Sequence, residues 1–308
     1  MISSILPQHD KHSVKAKISG SDKLYYLIAY IIIAFLVLAV LYPLIYIVSA
    51  SFSTAESVNS GQVWLFPVDF SVYSYKVILQ YKNLYVGYRN TLFYTIAGTL
   101  LNIAITIVCA YPLARKHLVG RKIFTFIFTF SMLFSGGMIP SYLLMRNLGI
   151  LDTVWVMLLP GAMSVYNMIV TRTFLQNTIA DELMEAAKID GCSDFHFFFK
   201  IVLPLSKAII AVIALYYAVG HWNSYFNAFL YLSNNQLYPL QIFLRQVLIQ
   251  NSFDSSMIMD DEMAQQLMGL SELLKYSVIV VASAPLMCFY PFVQKYFVKG
   301  VMIGSIKG

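Results

Sequence analysis

Long uncharged runs dominate this sequence and limit the folds that it can adopt. Crossing about 30 Å of hydrocarbon takes about 20 consecutive apolar residues whose backbone hydrogen bonds close within one helix. Six runs meet this requirement, at residues 24–48, 91–114, 123–145, 153–171, 208–232 and 276–294. The sequence therefore predicts an all-α membrane protein with six transmembrane helices.

The composition agrees with a bilayer as the solvent. Of the 308 residues, 59% are apolar and 12% are charged, a balance that a soluble domain of this length could not bury. The first run is longer than the roughly 7–15 apolar residues of a signal peptide and follows a polar segment, so we expect it to stay in the mature chain. We predict a cytoplasmic tail at 1–23, one membrane domain at 24–296 and a cytoplasmic tail at 297–308.

The distribution of basic residues predicts the orientation. An even number of spans puts both termini on one side, and cytoplasmic loops carry an excess of Lys and Arg. If the termini are cytoplasmic, only six of the 21 basic residues lie in outer loops, namely Lys76, Lys82, Arg89, Arg146, Arg245 and Lys275. The net charge of +6 is thereby explained by loops beside the membrane, so lipid is the expected contact and no nucleic acid is expected as a partner.

The loop at 173–207, predicted to be cytoplasmic, has the pattern of two short helices joined by a sharp turn. Thr178 and Asp181 have the spacing of a capping box, and Gly191 suits the left-handed position after a helix. Ser193 is expected to cap the second helix, and Pro204 marks the approach to the fifth span. We expect the apolar face of the second helix to consist of Phe195, Phe198, Phe199 and Val202.

A motif within this loop is more specific than its helical pattern. Its residues are Glu185, Ala186, Ala187, Gly191, Ile201, Leu203 and Pro204. This frame, EAA-x3-G-x9-I-x-L-P, resembles the EAA loop of the permease subunits of ABC importers. A chance match would need several fixed residue types to coincide in one cytoplasmic loop. The resemblance implies the type I ABC importer permease fold.

The resemblance also implies a role for the motif, because in that family the short helix docks into a groove on a separate ATPase subunit. The residue types suit this coupling role. Ala186 and Ala187 permit close approach of another surface, and Gly191 permits an abrupt exit from the helix. Glu185 offers a carboxylate to basic or hydrogen-bonding groups of the partner. The alternative for Glu185 is an ordinary solvated helix residue.

Sites for covalent chemistry are missing from the sequence. It contains no G-x4-G-K-[ST] motif for nucleotide, no H-E-x-x-H and no G-x-S-x-G, and its five histidines are scattered. Cys109, Cys192 and Cys288 imply neither a disulfide nor a metal site. We therefore predict a transport subunit that is not an enzyme and has no catalytic, metal or cofactor residues, with ATP and Mg²⁺ bound by the partner ATPase.

Three further segments resemble carbohydrate permeases of the maltose-transporter type. They are the Ser135-Gly136-Gly137 turn, the stretch from Asn147 to Thr153 and the C-terminal stretch from Val298 to Gly308. The resemblance places the tail residues Gly304, Lys307 and Gly308 at the ATPase interface, with a frayed tail as the alternative. It also implies a sugar or oligosaccharide as the substrate.

Polar side chains at helical spacing mark a candidate substrate path, because unpaired polar groups facing lipid are costly. Neutral amides and hydroxyls with nearby aromatic rings suit a sugar better than an ion. The alternative is that such residues hold helix to helix. The candidates are Asn102, Asn167, Tyr216, Trp222, Asn223, Tyr225 and Asn227.

The family resemblance sets the expected partners. They are a second, homologous permease subunit in a heterodimer, two ATPase subunits and an extracellular sugar-binding protein. A secondary transporter or channel for a small solute is the alternative, since six spans fit many such proteins. A carrier coupled to protons or sodium usually holds ionisable groups at mid-membrane, and the predicted spans contain no Asp, Glu, Lys or Arg.

Overall fold

The computed structural model describes residues 20–250 and 273–288, and in these ranges it is helical without strands. The helices are α1 (Gly20–Ser51), α2 (Ala55–Asn59), α3 (Tyr73–Gln80), α4 (Lys82–Ala114), α5 (Arg121–Leu133), α6 (Met138–Asn147), α7 (Trp155–Leu158), α8 (Val165–Thr178), α9 (Asp181–Ile189), α10 (Asp194–Phe197), α11 (Leu203–Leu205), α12 (Lys207–Trp222), α13 (Phe226–Tyr231), α14 (Leu240–Gln250) and α15 (Leu273–Cys288). The predicted tail residues Gly304, Lys307 and Gly308 lie outside the described residues.

Helix α1 is long, apolar and largely free of contacts with the rest of the chain. Almost every side chain from 22 to 45 is exposed, and from Leu24 onward this stretch is uncharged and largely apolar. At about 1.5 Å per residue, its 32 residues form a helix that is longer than the roughly 30 Å thickness of a hydrocarbon core. Lipid or an apolar partner must therefore cover this helix.

Helix α4 is the centre of the structure and packs against α8, α12 and α14. Its polar stripe is buried against these neighbours. The Thr91 hydroxyl accepts a hydrogen bond from the Leu240 backbone N–H at 2.8 Å, and the Thr106 and Tyr217 hydroxyls are 2.7 Å apart. These hydrogen bonds join α4 to α14 and to α12.

Three predicted spans are not continuous helices. The run at 123–145 is divided into α5 and α6, which meet at 112°. Helix α5 ends before the extended residue Phe134, and Gly137, at φ +87°, precedes the start of α6. The run at 153–171 is divided into α7 and α8 by a turn that contains Gly161 at φ +73°. The run at 208–232 is divided into α12 and α13 by non-helical backbone at 223–225.

Length and composition identify two membrane-crossing helices among the described residues, at Asp22–Ser51 and Lys82–Ala114. The number rises to four if each of two bent pairs counts as one span: Arg121–Leu133 with Met138–Asn147, and Asp194–Leu205 with Lys207–Trp222. Helix α15 covers the described part of the sixth predicted run. The count of six spans and the cytoplasmic termini stay predictions.

Two buried clusters position the candidate sites. One joins the C-terminal half of α4 to α8, α10 and α12, and it includes Ile107, Leu113, Met168, Phe197, Val202 and Ile213. The other joins α3, α4, α14 and α15, and it includes Ile78, Leu84, Trp222, Leu240, Phe243 and Val278. The loop at 173–207 rests on the first cluster, and the break between α12 and α13 lies beside the second.

Candidate functional site

The helix that carries the EAA motif begins differently from the prediction. Helix α8 runs to Thr178, and Ala180 occupies the N-cap position of α9 without a side-chain hydrogen bond. The capping-box interpretation of Thr178 and Asp181 is therefore wrong, because the Thr178 backbone is the last turn of the preceding helix. Asp181 is the first residue of α9, where a carboxylate is favoured by the helix dipole.

The glycine turn after α9 confirms the predicted conformation. Gly191 has φ +75°, its N–H donates to the Lys188 carbonyl at 3.0 Å, and the Cys192 N–H donates to the Ala187 carbonyl at 2.9 Å. These two bonds form a Schellman motif, which needs the left-handed residue that glycine supplies at no steric cost. The helix therefore ends at a sharply defined place.

The second helix starts as predicted but buries a different face. Ser193 caps α10 by accepting the His196 N–H at 3.3 Å. Phe197 and Val202 are buried, whereas Phe195 is 80% exposed and Phe199 is also exposed. The predicted face was wrong for Phe195 and Phe199. In α10 the buried side chain is Phe197, and in the π-helical turn at Phe198–Val202 it is Val202.

The distal part of the motif anchors this loop. Ile201 and Leu203 pack against the first buried cluster, and Pro204 lies in the first turn of α11, where its missing N–H costs no hydrogen bond. The segment Asp194–Leu205 then meets α12 at 75°. The motif thus places a rigid corner directly before a predicted membrane-spanning helix.

Helix α9 has an anchored face and an open face. Met184 and Ala187 pack against the first buried cluster. Glu185 and Ala186 are exposed, and Ile189 is 87% exposed. A small residue, an acidic residue and an uncovered isoleucine on one short helix form a surface that another protein can approach closely.

A pair of ionic contacts ties α9 to the end of α4. The Asp181 carboxylate is 2.8 Å from the Lys116 ammonium and 3.9 Å from the Arg115 guanidinium. The hydrogen bond from Lys116 lowers the pKa of the Asp181 carboxyl, and the same bond raises the pKa of Lys116. Arg115 also stacks on the rings of Tyr111 and Phe197, at 4.9 and 5.4 Å from their centroids.

A cavity of about 700 Å³ lies at the break between α12 and α13, beside α14 and α15. Three of the predicted path residues line it, together with polar side chains of α14 and α15. Its polar and aromatic lining consists of Trp222, Asn223, Tyr225, Gln241, Arg245 and Ser283. Apolar side chains of α14 and α15 complete the wall.

The other path candidates lie away from this cavity. Asn102 is buried between α4 and its neighbours, where its amide donates to the Gly161 carbonyl at 3.2 Å and its oxygen is 3.2 Å from His221 Nε2. Asn167 is buried on α8. Tyr216 and Asn227 lie on α12 and α13 and do not line the cavity. Asn102 thus contacts neighbouring segments here, and its place on the substrate path stays a prediction.

The comparison with a family model decides the identity of the chain. Residues 102–303 match the binding-protein-dependent transport system inner membrane component. The chain belongs to this family of ABC importer permeases. The match covers the EAA loop, the cavity and the helices that join them.

Two similar proteins, one of them named for carbohydrate transport, support the same assignment of the permease. It is 40% identical over 290 residues to the polygalacturonan/rhamnogalacturonan transport system permease protein YtcP of Bacillus subtilis, covering 93% of this chain and 99% of that one. It is 41% identical over 266 residues to protein LplC of Bacillus subtilis, covering 86% of this chain and 89% of that one. The permease is thus a member of the carbohydrate ABC transport permeases.

A solved structure agrees with the fold of the permease. A crystal structure of a bacterial ABC transporter involved in the import of the acidic polysaccharide alginate contains a chain that matches with a TM-score of 0.82 and 34% identity. The match covers 91% of the permease and 98% of that chain. The described helices therefore form an ABC importer permease fold.

Several residues of the permease were not predicted as site residues. The ionic tie of Asp181 to Arg115 and Lys116 joins two loops that are far apart in sequence, and only their opposite charges could have suggested it. Gln241 and Arg245 line the cavity although the hydropathy pattern assigned Arg245 to an outer loop. In the ranges that the structure describes, no cluster of His, Cys, Asp or Glu side chains could hold a metal ion.

Proposed function

We propose that the permease translocates an oligosaccharide through the cell membrane, delivered by an extracellular binding protein and driven by ATP hydrolysis in separate subunits. The names of its relatives support the substrate class. YtcP is named for polygalacturonan and rhamnogalacturonan, and the solved relative belongs to an importer of alginate. The family description supports a binding protein as the partner that supplies the substrate.

The observation that carries this proposal is the construction of α9. Its exposed face, with Glu185 and Ala186, is available to an ATPase subunit, while Met184 and Ala187 fix it to the buried cluster. The tie from Asp181 to Lys116 links it to the end of α4. Movement imposed on α9 from outside would therefore be transmitted to α4 and α12, and α12 ends at the cavity.

The same proposal includes the assembly and its orientation. A second, homologous permease subunit and two ATPases complete the transporter, and both termini of the permease are cytoplasmic. ATP and Mg²⁺ bind in the ATPase subunits. The loop at 173–207 is then on the side of the membrane where the ATPases lie, which the excess of basic residues in the inner loops supports.

Substitutions in α9 test this function in proteoliposomes that contain the whole transporter and its binding protein. Glu185→Lys reverses an exposed charge, and Gly191→Pro is incompatible with φ +75° and removes the N–H that bonds Lys188. We expect both to abolish ATP-driven oligosaccharide uptake while membrane insertion is retained. Glu56→Lys, an exposed charge reversal on α2, is the control and should keep normal uptake.

Two outcomes would contradict the proposal. Wild-type uptake by both α9 variants would remove the coupling role of the EAA loop. Uptake by the permease alone, without ATPase subunits and down a concentration gradient, would favour a secondary transporter or channel.

A further inference from the structure

Among the residues that the structure describes, Arg245 is the one cationic side chain that lines the cavity at the break between α12 and α13. Its guanidinium carbon lies 4.1 Å from the centroid of the Phe229 ring and 5.4 Å from that of Tyr225. These cation–π contacts hold the guanidinium in place, and its N–H groups, which lie in one plane, can donate hydrogen bonds to the oxygens of a ligand. The two rings therefore hold a set of hydrogen-bond donors at the cavity wall.

The described part of the chain provides no counter-charge for Arg245. The two ion pairs between described residues both use Asp181, and no described residue that lines the cavity is Asp or Glu. A cation in a largely apolar wall is unfavourable unless water or an anion reaches it, and membrane transporters keep such groups along their substrate pathways. The position of Arg245 thus points to a ligand with negative charge.

The rest of the lining suits a sugar. The amides of Asn223 and Gln241 lie side by side, with Gln241 Nε2 3.5 Å from Asn223 Oδ1, and Ser283 adds a hydroxyl. Trp222 and Tyr225 supply aromatic surface against which a sugar ring can pack. The volume of about 700 Å³ lies within the roughly 300–1,000 Å³ of small-molecule sites.

We propose that Arg245 binds the carboxylate of a uronic acid unit in the transported oligosaccharide, while Asn223, Gln241 and Ser283 bind its hydroxyl groups. A planar guanidinium matches a planar carboxylate through two parallel hydrogen bonds. The inference rests on the proposed function, because it assumes that the cavity lies on the path of an oligosaccharide. It adds the charge of the substrate and the residue that selects for it.

Direct binding to the complete transporter in lipid nanodiscs, without the binding protein, tests the proposal. The probes are trigalacturonate and trimannuronate, each compared with its uncharged methyl ester, and the method is titration calorimetry. Arg245→Gln removes the charge and keeps a polar side chain, and Arg245→Lys keeps the charge without the planar fork. The matched control is Arg146→Gln, an exposed arginine of α6 outside the cavity.

We expect the wild-type transporter to bind at least one of the two acids. Arg245→Gln should bind that acid about tenfold or more weakly, since a hydrogen-bonded charge pair is lost. The affinity of Arg245→Lys for the acid should lie between those of the wild type and Arg245→Gln, and the affinity of Arg146→Gln should match the wild type. Binding of the methyl ester should not change in any variant. This pattern would assign carboxylate recognition to Arg245.

Three results would overturn the proposal. They are an unchanged affinity of Arg245→Gln for the acid, an equal loss for acid and ester, and no binding of either acid by the wild type. An equal loss would mean that Arg245 supports the fold or pairs with another part of the chain. In each case, ATP-driven uptake of neutral oligosaccharides in the proteoliposome assay would show that the proposed function still holds. Failure of the Arg245 proposal is therefore distinguishable from failure of the proposed function.

Discussion

Close packing at single residues holds the helices around α4 together. Gly98 on α4 faces His221 on α12, and a Cβ atom at position 98 would lie 2.3 Å from His221 Nε2. The imidazole has little freedom to move, because its Nε2 is also 3.2 Å from the Asn102 side-chain oxygen. Glycine at position 98 therefore leaves the space that the His221 ring occupies.

Gly98→Ala should lower the free energy of unfolding by about 1–3 kcal/mol, since the new methyl group must displace the imidazole. The measurement is thermal or denaturant unfolding of the detergent-solubilised permease. Gly220→Ala on α12 is the matched control, because a Cβ atom there meets no atom within 4 Å. We expect it to keep or raise stability, by up to about 1 kcal/mol, because alanine favours a helix interior more than glycine does.

The double variant Gly98→Ala/His221→Ala separates packing from other effects. If the clash is the cause, adding Gly98→Ala to a chain that already carries His221→Ala should cost far less than it does in the wild type. Equal costs in the two backgrounds would contradict this account of the packing.

Local chemistry determined which residues could be predicted from the sequence. Gly191 and Ser193 were predicted correctly, because a left-handed helix end and an N-cap each demand particular residue types. Thr178 was predicted wrongly, because its capping spacing to Asp181 is equally compatible with the end of the preceding helix. The burial of Phe197 rather than Phe195 depends on how α10 packs against the first buried cluster, which the apolar pattern does not show.

At the scale of helices, the connection between α9 and α4 is the contact that carries the proposed coupling. Asp181→Asn removes the charge that holds Lys116 and Arg115, and it should leave the fold intact because the Asp181–Lys116 contact is near the surface. We expect slower uptake with less loss of ATP hydrolysis, so that fewer substrate molecules enter per ATP. The measurement is the ratio of uptake to phosphate release in proteoliposomes.

The exchanged pair Asp181→Lys/Lys116→Asp is the control, since it restores opposite charges and should recover part of the ratio of uptake to phosphate release.

The ionic contact between Asp181 and Lys116 should also be insensitive to pH near neutrality. The lowered pKa of Asp181 keeps its charge until the pH falls below the usual value of about 4, and the raised pKa of Lys116 keeps its charge until above about 10. A wild-type-like ratio for Asp181→Asn would contradict the role of this tie.

Hydropathy located the helices better than their interruptions. An uncharged run has the same hydropathy whether or not the helix bends within it, so the sequence did not place the breaks at 134–137 and 223–225. The second break has a consequence for the site, because it opens the cavity and brings Arg245 on α14 beside Tyr225. Non-local packing of this kind has no sequence period that could reveal it.

At the scale of the whole molecule, the chain by itself leaves two surfaces uncovered, the apolar surface of α1 and the outer face of α9. The first must be covered by lipid or a second membrane subunit, and the second is open to an ATPase. The all-helical class, the family and the carbohydrate assignment were all predicted from the sequence, because composition, the EAA frame and the segments that resemble carbohydrate permeases can each be read without the fold. The number of spans depends on long-range packing and stays a prediction.

The most direct test of the coupling proposal is a cross-link between α9 and the ATPase subunit. Cys109, Cys192 and Cys288 are replaced by Ser, a single cysteine is introduced by Ala186→Cys, and a bifunctional reagent is added to the assembled transporter. Asn59→Cys, exposed at the end of α2, is the control position. We predict that Ala186→Cys cross-links to the ATPase and Asn59→Cys does not, and that the cross-link stops uptake. Absence of a cross-link from Ala186→Cys, or its labelling by a membrane-impermeant reagent added outside intact cells, would contradict the account.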